Sequence, residues 1–357
     1  MYLDLSVDEL CGQLIVGGFE GTELTEDFAE ALGAGERAGA ILFKRNLRST
    51  RQTVEICRAI ADTAPTDLPA FVAVDEEGGR VSRLPDESLR LPAMRAIGAT
   101  GEAELSERAG RALGGVLATL GFNLDFAPVL DVDSNPDNPV IGDRSFSSDP
   151  VEVSRLGRAF AKGLLAEGIM TCGKHFPGHG DTHLDSHLDL PEVAHDLGRL
   201  RQIEIQPFQQ VHEELTGLMT AHVVYPALDP LVPATLSRTI CTDLLRRQLS
   251  FRGVLFSDDL EMRAVADRLP IEHAALRAVE AGCDVLLICR DFSLQERAQA
   301  ALADRVRGDR AFRDRCVEAV ERSIRARRRF PPSAPHWPND AAATALREVI
   351  QEIRSSR

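Results

Sequence analysis

Short apolar runs alternate with stretches of helical periodicity along most of the chain. Each run is apolar at consecutive positions rather than at every second position, which is typical of strands covered on both faces of a parallel sheet. Stretches such as Ala103 to Leu120 and Ile271 to Ala281, which separate the runs, are predicted to be helices. The predicted strands are residues 14–19, 39–43, 70–75, 124–127, 170–173, 217–221, 253–257 and 284–288.

This alternation predicts an α/β protein, and two architectures fit it. One is a single (β/α)8 TIM-type barrel with a C-terminal helical extension, and the other is a doubly wound open sheet. Polar residues favour the barrel, because they stand at the carboxyl ends of different strands, whereas an open sheet would gather them at one crevice. These residues are Asp75, Asp125, Lys174, His222 and Asp258.

The last part of the chain is predicted to extend the barrel. Residues 1–330 are assigned to a catalytic barrel, and residues 331–357 to a proline-rich linker followed by a helix that packs on it. Ser293 to Arg329 is predicted to be one helical stretch. Its basic end, Arg325 to Arg329, is expected to be a solvated face that is favourable near the helix carboxyl terminus.

Charge and cysteine content narrow the class of protein. The chain of 357 residues carries a formal net charge of −14, which argues against general binding to nucleic acid or to an anionic membrane. Its seven cysteines are scattered and contain no CxxC pair, as expected for reduced thiols. Neither a signal peptide nor a membrane-spanning run is predicted, so the expected location is the cytoplasm.

The stretch Lys174 to Pro191 holds the densest set of reactive side chains, four histidines and three aspartates among glycines and prolines. Its ligand types suggest a metal site, but Lys174 would repel a cation and the spacing is not that of one helix face. The structural alternative to a metal site is a loop that is held together by hydrogen bonds of its histidines, especially around His179 and Asp181. Asp185 stands two residues before His187, so in extended chain it can fix the imidazole tautomer and make a general acid/base.

Two further segments carry acids at strand ends. In Ser257-Asp258-Asp259, successive side chains point to opposite sides, so one aspartate is a candidate nucleophile and the other a candidate helix N-cap. Asp75 and Arg83 flank a glycine turn after an earlier strand. Such a pair suits a polyhydroxylated ligand, although it equally fits a structural salt bridge.

Four segments together resemble the family 3 glycoside hydrolases, and within them the bacterial β-N-acetylglucosaminidases of cell-wall recycling. They are Asp75 to Arg83, Ile141 to Phe146, Lys174 to His187 and Ser257 to Met262. The resemblance runs in order from about residue 10 to residue 288, and the long histidine segment is its most specific part.

The resemblance implies a retaining glycosidase. It assigns Asp258 as the nucleophile and His187, assisted by Asp185, as the acid/base. It also implies that the N-acetylglucosamine ring is bound by Asp75, Arg83, Arg144, Lys174 and His175. Two residues depart from the usual pattern, Glu76 where a smaller or neutral residue is frequent and Asp143 where Glu is frequent.

The expected partner is a saccharide that contains N-acetylglucosamine, and the expected state is a monomer or weak dimer. No metal ion or organic cofactor is expected. Phosphorolysis of the glycoside or another family 3 β-glycosidase activity remains open, because a histidine acid/base lowers the negative charge that an anionic acceptor or aglycone meets. A metal-dependent hydrolase and an inactive sugar-binding relative are the alternatives outside this class.

Overall fold

Eight parallel strands close into a barrel in chain order. The computed structural model describes residues 4–183, 190–336 and 339–356. The first strand pairs with both the second and the eighth, so the sheet has no free edge. This confirms the predicted (β/α)8 fold and all eight predicted strands. The strands are Ile15–Gly17 (β1), Gly39–Leu42 (β2), Phe71–Val74 (β3), Leu124–Asp125 (β4), Met170–Phe176 (β5), Gly217–Thr220 (β6), Val254–Asp259 (β7) and Val285–Ile288 (β8).

Helices cover the outer face of the barrel. They bury one apolar face against the strands, because the outward-facing residues of a parallel sheet must also leave water. The α-helices are Val7–Gly12 (α1), Glu26–Gly33 (α2), Thr50–Thr63 (α3), Met94–Thr100 (α4), Ala103–Leu120 (α5), Pro150–Ala166 (α6), Leu197–Gln202 (α7), Gln206–Val211 (α8), Arg263–Ala266 (α9), Ile271–Ala281 (α10), Phe292–Gly308 (α11), Arg310–Arg329 (α12) and Asp340–Ser355 (α13). A π-helix covers Thr239–Gln248 between β6 and β7.

Side chains fill the interior of the barrel. The rings of Phe71 and Phe126 each meet Phe256 edge to face, with centroids 5.5 and 5.3 Å apart. These inner positions alternate with outward ones, so Phe71 and Ala73 belong to the inner cluster while Val72 and Val74 belong to the outer core. The barrel is therefore a packed core, and polar side chains such as Lys174 and Asp258 lie at the carboxyl ends of the strands.

Two predicted helices are divided in the structure. The stretch 201–214 is split into α7, α8 and a 3₁₀ turn, and Pro207 in the first turn of α8 has no N–H to continue the preceding helix. Likewise 293–329 is two helices rather than one. The break follows Gly308, where the Asp309 side chain accepts a hydrogen bond from the Phe312 N–H and starts α12.

The amino-terminal end of the barrel is closed by the carboxyl end of α12. The prediction that this basic end is wholly solvated is wrong for Arg327, which is 0% exposed. Its guanidinium donates to the carbonyls of Ala38 and Pro69 and to the Gln13 side chain, and it lies 5.1 Å from the Phe71 ring centroid. Burial lowers the pKa of Arg327 to about 9.

Beyond α12, the chain returns to the barrel through α13, which packs its apolar face against α5. The division of the chain at residue 330 stays a prediction. Within the described ranges, no helix is both long enough and apolar enough to cross a bilayer. All seven cysteines are buried and free.

Candidate active site

The alternation of side chains in the strands determines which polar groups face the central axis at the carboxyl end of the barrel. In β5, Met170 and Cys172 point into the inner core, so Lys174 points the same way one step further. By the same alternation, Asp75 points inward like Ala73 two residues before it, and Asp258 points inward like Phe256. The prediction that Lys174 begins a loop is wrong, because β5 continues to Phe176.

These side chains line one cavity of about 530 Å³ at this end of the barrel. All of the predicted sugar-binding side chains reach it, as does the predicted nucleophile. They are Asp75, Arg83, Arg144, Lys174, His175 and Asp258. The residues come from β5, β7 and the loops that follow β3 and β4.

One wall of the cavity is a buried network of alternating charges. The Lys174 Nζ lies 2.6 Å from an oxygen of Asp75 and 2.6 Å from an oxygen of Glu77. Arg144 donates from Nε and Nη2 to the two oxygens of Glu77, each at 2.8 Å. Arg83 lies 3.8 Å from Asp75. The network satisfies these charges mutually, which is what makes their burial tolerable.

Burial and opposite charges act against each other in this wall. Burial alone raises the pKa of Glu77, but Arg144 and Lys174 outweigh it and hold that pKa well below its usual range. Burial alone lowers the pKa of Lys174, but Asp75 and Glu77 hold it above its usual range. Both side chains are therefore ionised at neutral pH and present fixed charges to a ligand.

A glycine turn holds the acidic end of this wall. Gly78 and Gly79 have φ of 86° and 56°, a region that residues with a Cβ rarely adopt. The turn is closed by a hydrogen bond from the Glu77 N–H to the Val81 carbonyl. It lets Glu77 point inward and brings Arg83 back to the cavity.

His175 is oriented by a buried aspartate, Asp131. The His175 Nδ1 lies 2.7 Å from Asp131 Oδ2, and the same carboxylate accepts from the backbone N–H groups of His175 and His179. Burial alone would raise the pKa of Asp131, but the contact with His175 lowers that pKa by more, so it stays below its usual range. A proton on Nδ1 satisfies this contact and leaves the His175 Nε2 for a ligand.

The two adjacent aspartates of β7 have different surroundings. Asp259 accepts from the backbone N–H groups of Glu261 and Cys289, at 3.1 and 3.2 Å, and burial raises its pKa to about 7. The predicted helix N-cap role for Asp259 is wrong, because α9 starts later, after Met262. Asp258 lies on the inward-facing phase and accepts from the Asp259 N–H at 2.8 Å.

Asp185 and His187, the predicted acid/base pair, lie outside the described residues. On the amino-terminal side of that gap, the His179 Nδ1 lies 2.9 Å from the Thr182 hydroxyl. Asp181 Oδ2 lies 2.5 Å from the His195 Nε2. These contacts are the loop hydrogen bonds predicted for His179 and Asp181.

A metal site finds limited support around this loop. In the part of the chain that the structure describes, Asp181, His195 and Glu204 place ligand atoms within 4.8 Å of one another. The Arg199 guanidinium donates to both carboxylates, at 3.1 and 3.2 Å. A bound cation would have to displace that positive charge, so the donor set fits an ion-pair cluster better than a metal centre.

Sequence reasoning missed Glu77 and Asp131 as parts of the site. Glu77 entered the sequence analysis only as a member of the Asp75 to Arg83 segment. Its partners, Arg144 and Lys174, lie 67 and 97 positions away along the chain. Asp131 follows the apolar residues Val129 and Leu130 beyond β4, and an acid directly after an apolar run was a usable signal.

Comparisons with known proteins agree with the fold. Residues 6–325 match the model of the glycosyl hydrolase family 3 N terminal domain. Beta-hexosaminidase from Pseudomonas aeruginosa (strain LESB58) is 43% identical over 286 residues, which are 79% of this chain and 84% of that protein. Beta-hexosaminidase A from Pseudoalteromonas piscicida is 35% identical over 88% of this chain, but the chain covers only 57% of that longer relative.

Among solved structures, a glycoside hydrolase family 3 beta-N-acetylglucosaminidase from Paenibacillus sp. str. FPU-7 superposes with a TM-score of 0.92. It is 35% identical and is matched over 99% of this chain and 69% of its own. The family model covers far more than half of the chain, and the resemblance found in the sequence is therefore confirmed. The chain belongs to glycosyl hydrolase family 3.

Proposed function

We propose that the protein is a retaining exo-β-N-acetylglucosaminidase that removes terminal N-acetylglucosamine from muropeptides derived from peptidoglycan, in the cytoplasm. The observation that carries the proposal is that Asp258 lines the same cavity as the five predicted sugar-binding side chains. The relatives' names, beta-hexosaminidase and beta-N-acetylglucosaminidase, support N-acetylglucosamine as the sugar and a β-glycosidic bond as the bond that is cleaved. Seven buried, free cysteines support a reducing compartment.

The reaction proceeds in two displacements at the anomeric carbon. An oxygen of the Asp258 carboxylate forms a bond to that carbon while the bond to the leaving oxygen breaks, and His187 donates its proton to the leaving oxygen. The product of this step is a covalent glycosyl-aspartate. A water molecule then gives a proton to His187 and bonds to the anomeric carbon as the ester to Asp258 breaks, so the configuration is retained.

The charged wall positions the sugar for this chemistry. Asp75 accepts hydrogen bonds from sugar hydroxyls, as does the His175 Nε2, and Lys174 and Arg144 donate to the remaining oxygens. Because Asp75 and Lys174 are already held 2.6 Å apart by the network, little reorganisation is needed when the substrate binds.

Phosphorolysis is the second candidate, and one observation favours it. Besides Arg83, Arg144 and Lys174, the cavity is lined by Arg45, Arg263 and Arg290 nearer its rim. A phosphate ion that replaced water would meet positive charge there. The product would then be the sugar 1-phosphate rather than the free sugar.

The proposal is tested with a chromogenic N-acetyl-β-glucosaminide and three proteins: wild type, Asp258→Asn and Asp259→Asn. Asp258→Asn is expected to lower kcat by at least about 10³-fold, because no other group takes over as nucleophile. Asp259→Asn, which keeps an acceptor for the backbone N–H groups, is expected to retain measurable turnover. Proton NMR of the first product should show the β-anomer.

A slow 5-fluoro-N-acetylglucosaminyl fluoride identifies the nucleophile directly. Mass spectrometry is expected to find the added sugar on Asp258 in the wild type and in Asp259→Asn. A label on Asp259, an α-anomer as first product, or full activity in Asp258→Asn would refute the retaining mechanism. Faster consumption of substrate with inorganic phosphate, together with sugar 1-phosphate as product, would support the phosphorylase instead.

A further inference from the structure

A second large cavity, of about 870 Å³, lies at the amino-terminal end of the barrel, opposite the candidate active site. It is bounded by Thr216 before β6, Gly253 before β7, Leu165 near the end of α6 and Phe330 after α12. The size falls within the range of pockets that hold small organic molecules. We call it the basal cavity.

The charge of the basal cavity is opposite to that of the chain. The whole chain has 41 basic and 55 acidic residues. In contrast, the cavity lining has more cations than carboxylates: Arg158, Lys162, Arg252, Arg322, Arg325 and Arg329 against Glu213 and Glu214. An acidic protein that gathers positive charge in one concave surface creates a local potential that attracts anions.

Three of these cations form no ion pair with a carboxylate of the described residues. Across the described ranges, Arg158 is paired with Glu214, Lys162 with Glu107 and Arg322 with Asp284, whereas the remaining three arginines form no ion pair. Those three are Arg252, Arg325 and Arg329.

The positions of the arginines concentrate this charge. Arg322, Arg325 and Arg329 follow one another at spacings of three and four on α12, so they lie along one face of the helix. Like charges at these spacings repel one another on a helix. An anion bound between them would remove that repulsion.

Charged residues next to the basal cavity add to its positive potential. Asp284, which is 0% exposed, binds Arg246, Arg315 and Arg322 at 2.6, 2.8 and 2.5 Å. Glu318 also pairs with Arg315 and Arg322, so two carboxylates face three guanidinium groups and one positive charge is left over. Arg322 and Arg252 also line a neighbouring cavity of about 810 Å³ that is again rich in arginine.

The floor of the basal cavity is apolar. Leu165, Val254, Ala326 and Phe330 line it together with the arginines, and the Arg329 guanidinium lies 5.2 Å from the Phe330 ring centroid. A bare inorganic anion would leave this floor unused, whereas an organic anion with a ring would cover it. A guanidinium group can donate two parallel hydrogen bonds to two oxygens of one phosphate, so Arg252, Arg325 and Arg329 are suited to bind a phosphate group.

We propose that the basal cavity binds a small organic phosphate of the nucleotide type, with Arg252, Arg325 and Arg329 as ligands of the phosphates and the apolar floor as the seat of the ring. The site is separate from the sugar-binding cavity and does not depend on the proposed function. Its ligand is expected to bind whether or not the candidate active site is occupied.

The experiment is equilibrium titration calorimetry in 150 mM NaCl with ATP, pyrophosphate and adenosine as probes, in the presence of saturating N-acetylglucosamine. ATP is expected to bind wild type at least tenfold more tightly than pyrophosphate, and adenosine is expected not to bind. The triple variant Arg252→Gln/Arg325→Gln/Arg329→Gln is expected to weaken ATP binding by at least 30-fold. A matched variant, Arg48→Gln/Arg201→Gln/Arg354→Gln, removes the same charge from exposed positions elsewhere and should bind ATP as wild type does.

Circular dichroism and turnover of the chromogenic glycoside by the triple variant check that it is folded. No binding of ATP to wild type, equal loss in the matched variant, or equal affinity for ATP and pyrophosphate would overturn the proposal. So would a change from a self-associated to a monomeric state in the triple variant without any phosphate binding, because the basal cavity would then serve contacts between copies of the chain.

Discussion

Replacing Glu77 with glutamine tests whether the charged wall holds the candidate active site in its working shape. The side chain is 2% exposed and makes three short contacts, two of 2.8 Å with Arg144 and one of 2.6 Å with Lys174. Glutamine has nearly the same shape but only one acceptor oxygen, and its amide N–H groups would face the cations. The exchange therefore removes a charge and leaves two buried cations poorly paired.

The expected cost follows from that burial. Removing one partner of a buried ion pair costs about 3–5 kcal/mol in free energy of unfolding. Arg144 and Lys174 also line the cavity, and a displacement of about 1 Å at a reacting centre lowers activity by about 10²-fold. We expect Glu77→Gln to show both losses, in urea denaturation at pH 7 and in kcat/KM on the chromogenic glycoside.

The pH dependence of the difference is a sharper readout. Arg144 and Lys174 hold the pKa of Glu77 below its ordinary value of 4.5 against the effect of burial. A depressed carboxyl pKa contributes stability that is present above the unfolded-state pKa and is lost as pH falls through the folded-state pKa. The stability gap between wild type and Glu77→Gln should therefore be constant from pH 7 to about pH 5 and shrink below it.

A matched control lies further along the same loop. Glu87 pairs with Arg90 at 3.2 Å, but its side chain is 85% exposed, so Glu87→Gln should cost less than about 1 kcal/mol. A double-mutant cycle with Arg144→Met should give an interaction energy above about 1 kcal/mol. A Glu77→Gln protein within 1 kcal/mol of wild type at every pH, with kcat/KM unchanged, would refute the role of the wall.

Two further substitutions test buried charges elsewhere. Burial raises the pKa of Glu76, so wild type loses stability as pH rises above about 4.5. Glu76→Gln should therefore be more stable than wild type at pH 7, by about 1.4 kcal/mol for each pH unit by which burial raises the Glu76 pKa. Equal pH profiles of the two proteins in urea denaturation would contradict this. Arg327→Met should destabilise by about 3–5 kcal/mol, because it leaves buried acceptors without donors, whereas exposed Arg328→Met should cost less than about 1 kcal/mol in the same assay.

The sequence predicted the barrel and the polar residues near the carboxyl ends of its strands because those features depend on local order. Apolar runs separated by helices define a parallel sheet, and the alternation of inward and outward side chains leads from the core residues to Asp75, Lys174 and Asp258. Such periodicity needs no knowledge of what lies across the barrel. The resemblance to a known family supplied Arg144, to which the local pattern of the sequence does not point.

Contacts between distant segments were not predictable in that way. Glu77 and Arg144 lie in different loops, 67 positions apart, and nothing in either segment reveals the other. Arg327 was expected to be solvated from its place at a helix end, but residues from three other segments, Gln13, Ala38 and Pro69, surround it. Its burial follows from the closure of the barrel, which is a property of the whole fold.

Charge balance distinguishes the two ends of this barrel. At the carboxyl end, Asp75 and Glu77 offset Lys174 and Arg144 within hydrogen-bond distance, so the wall offers donors and acceptors with little net charge, which suits an uncharged sugar. At the amino-terminal end, the arginines of the basal cavity outnumber the carboxylates and three of them have no ion-pair partner within the described ranges. An uncharged ligand would leave that excess unneutralised. The same reasoning that assigns a sugar to the first cavity therefore assigns an anion to the second.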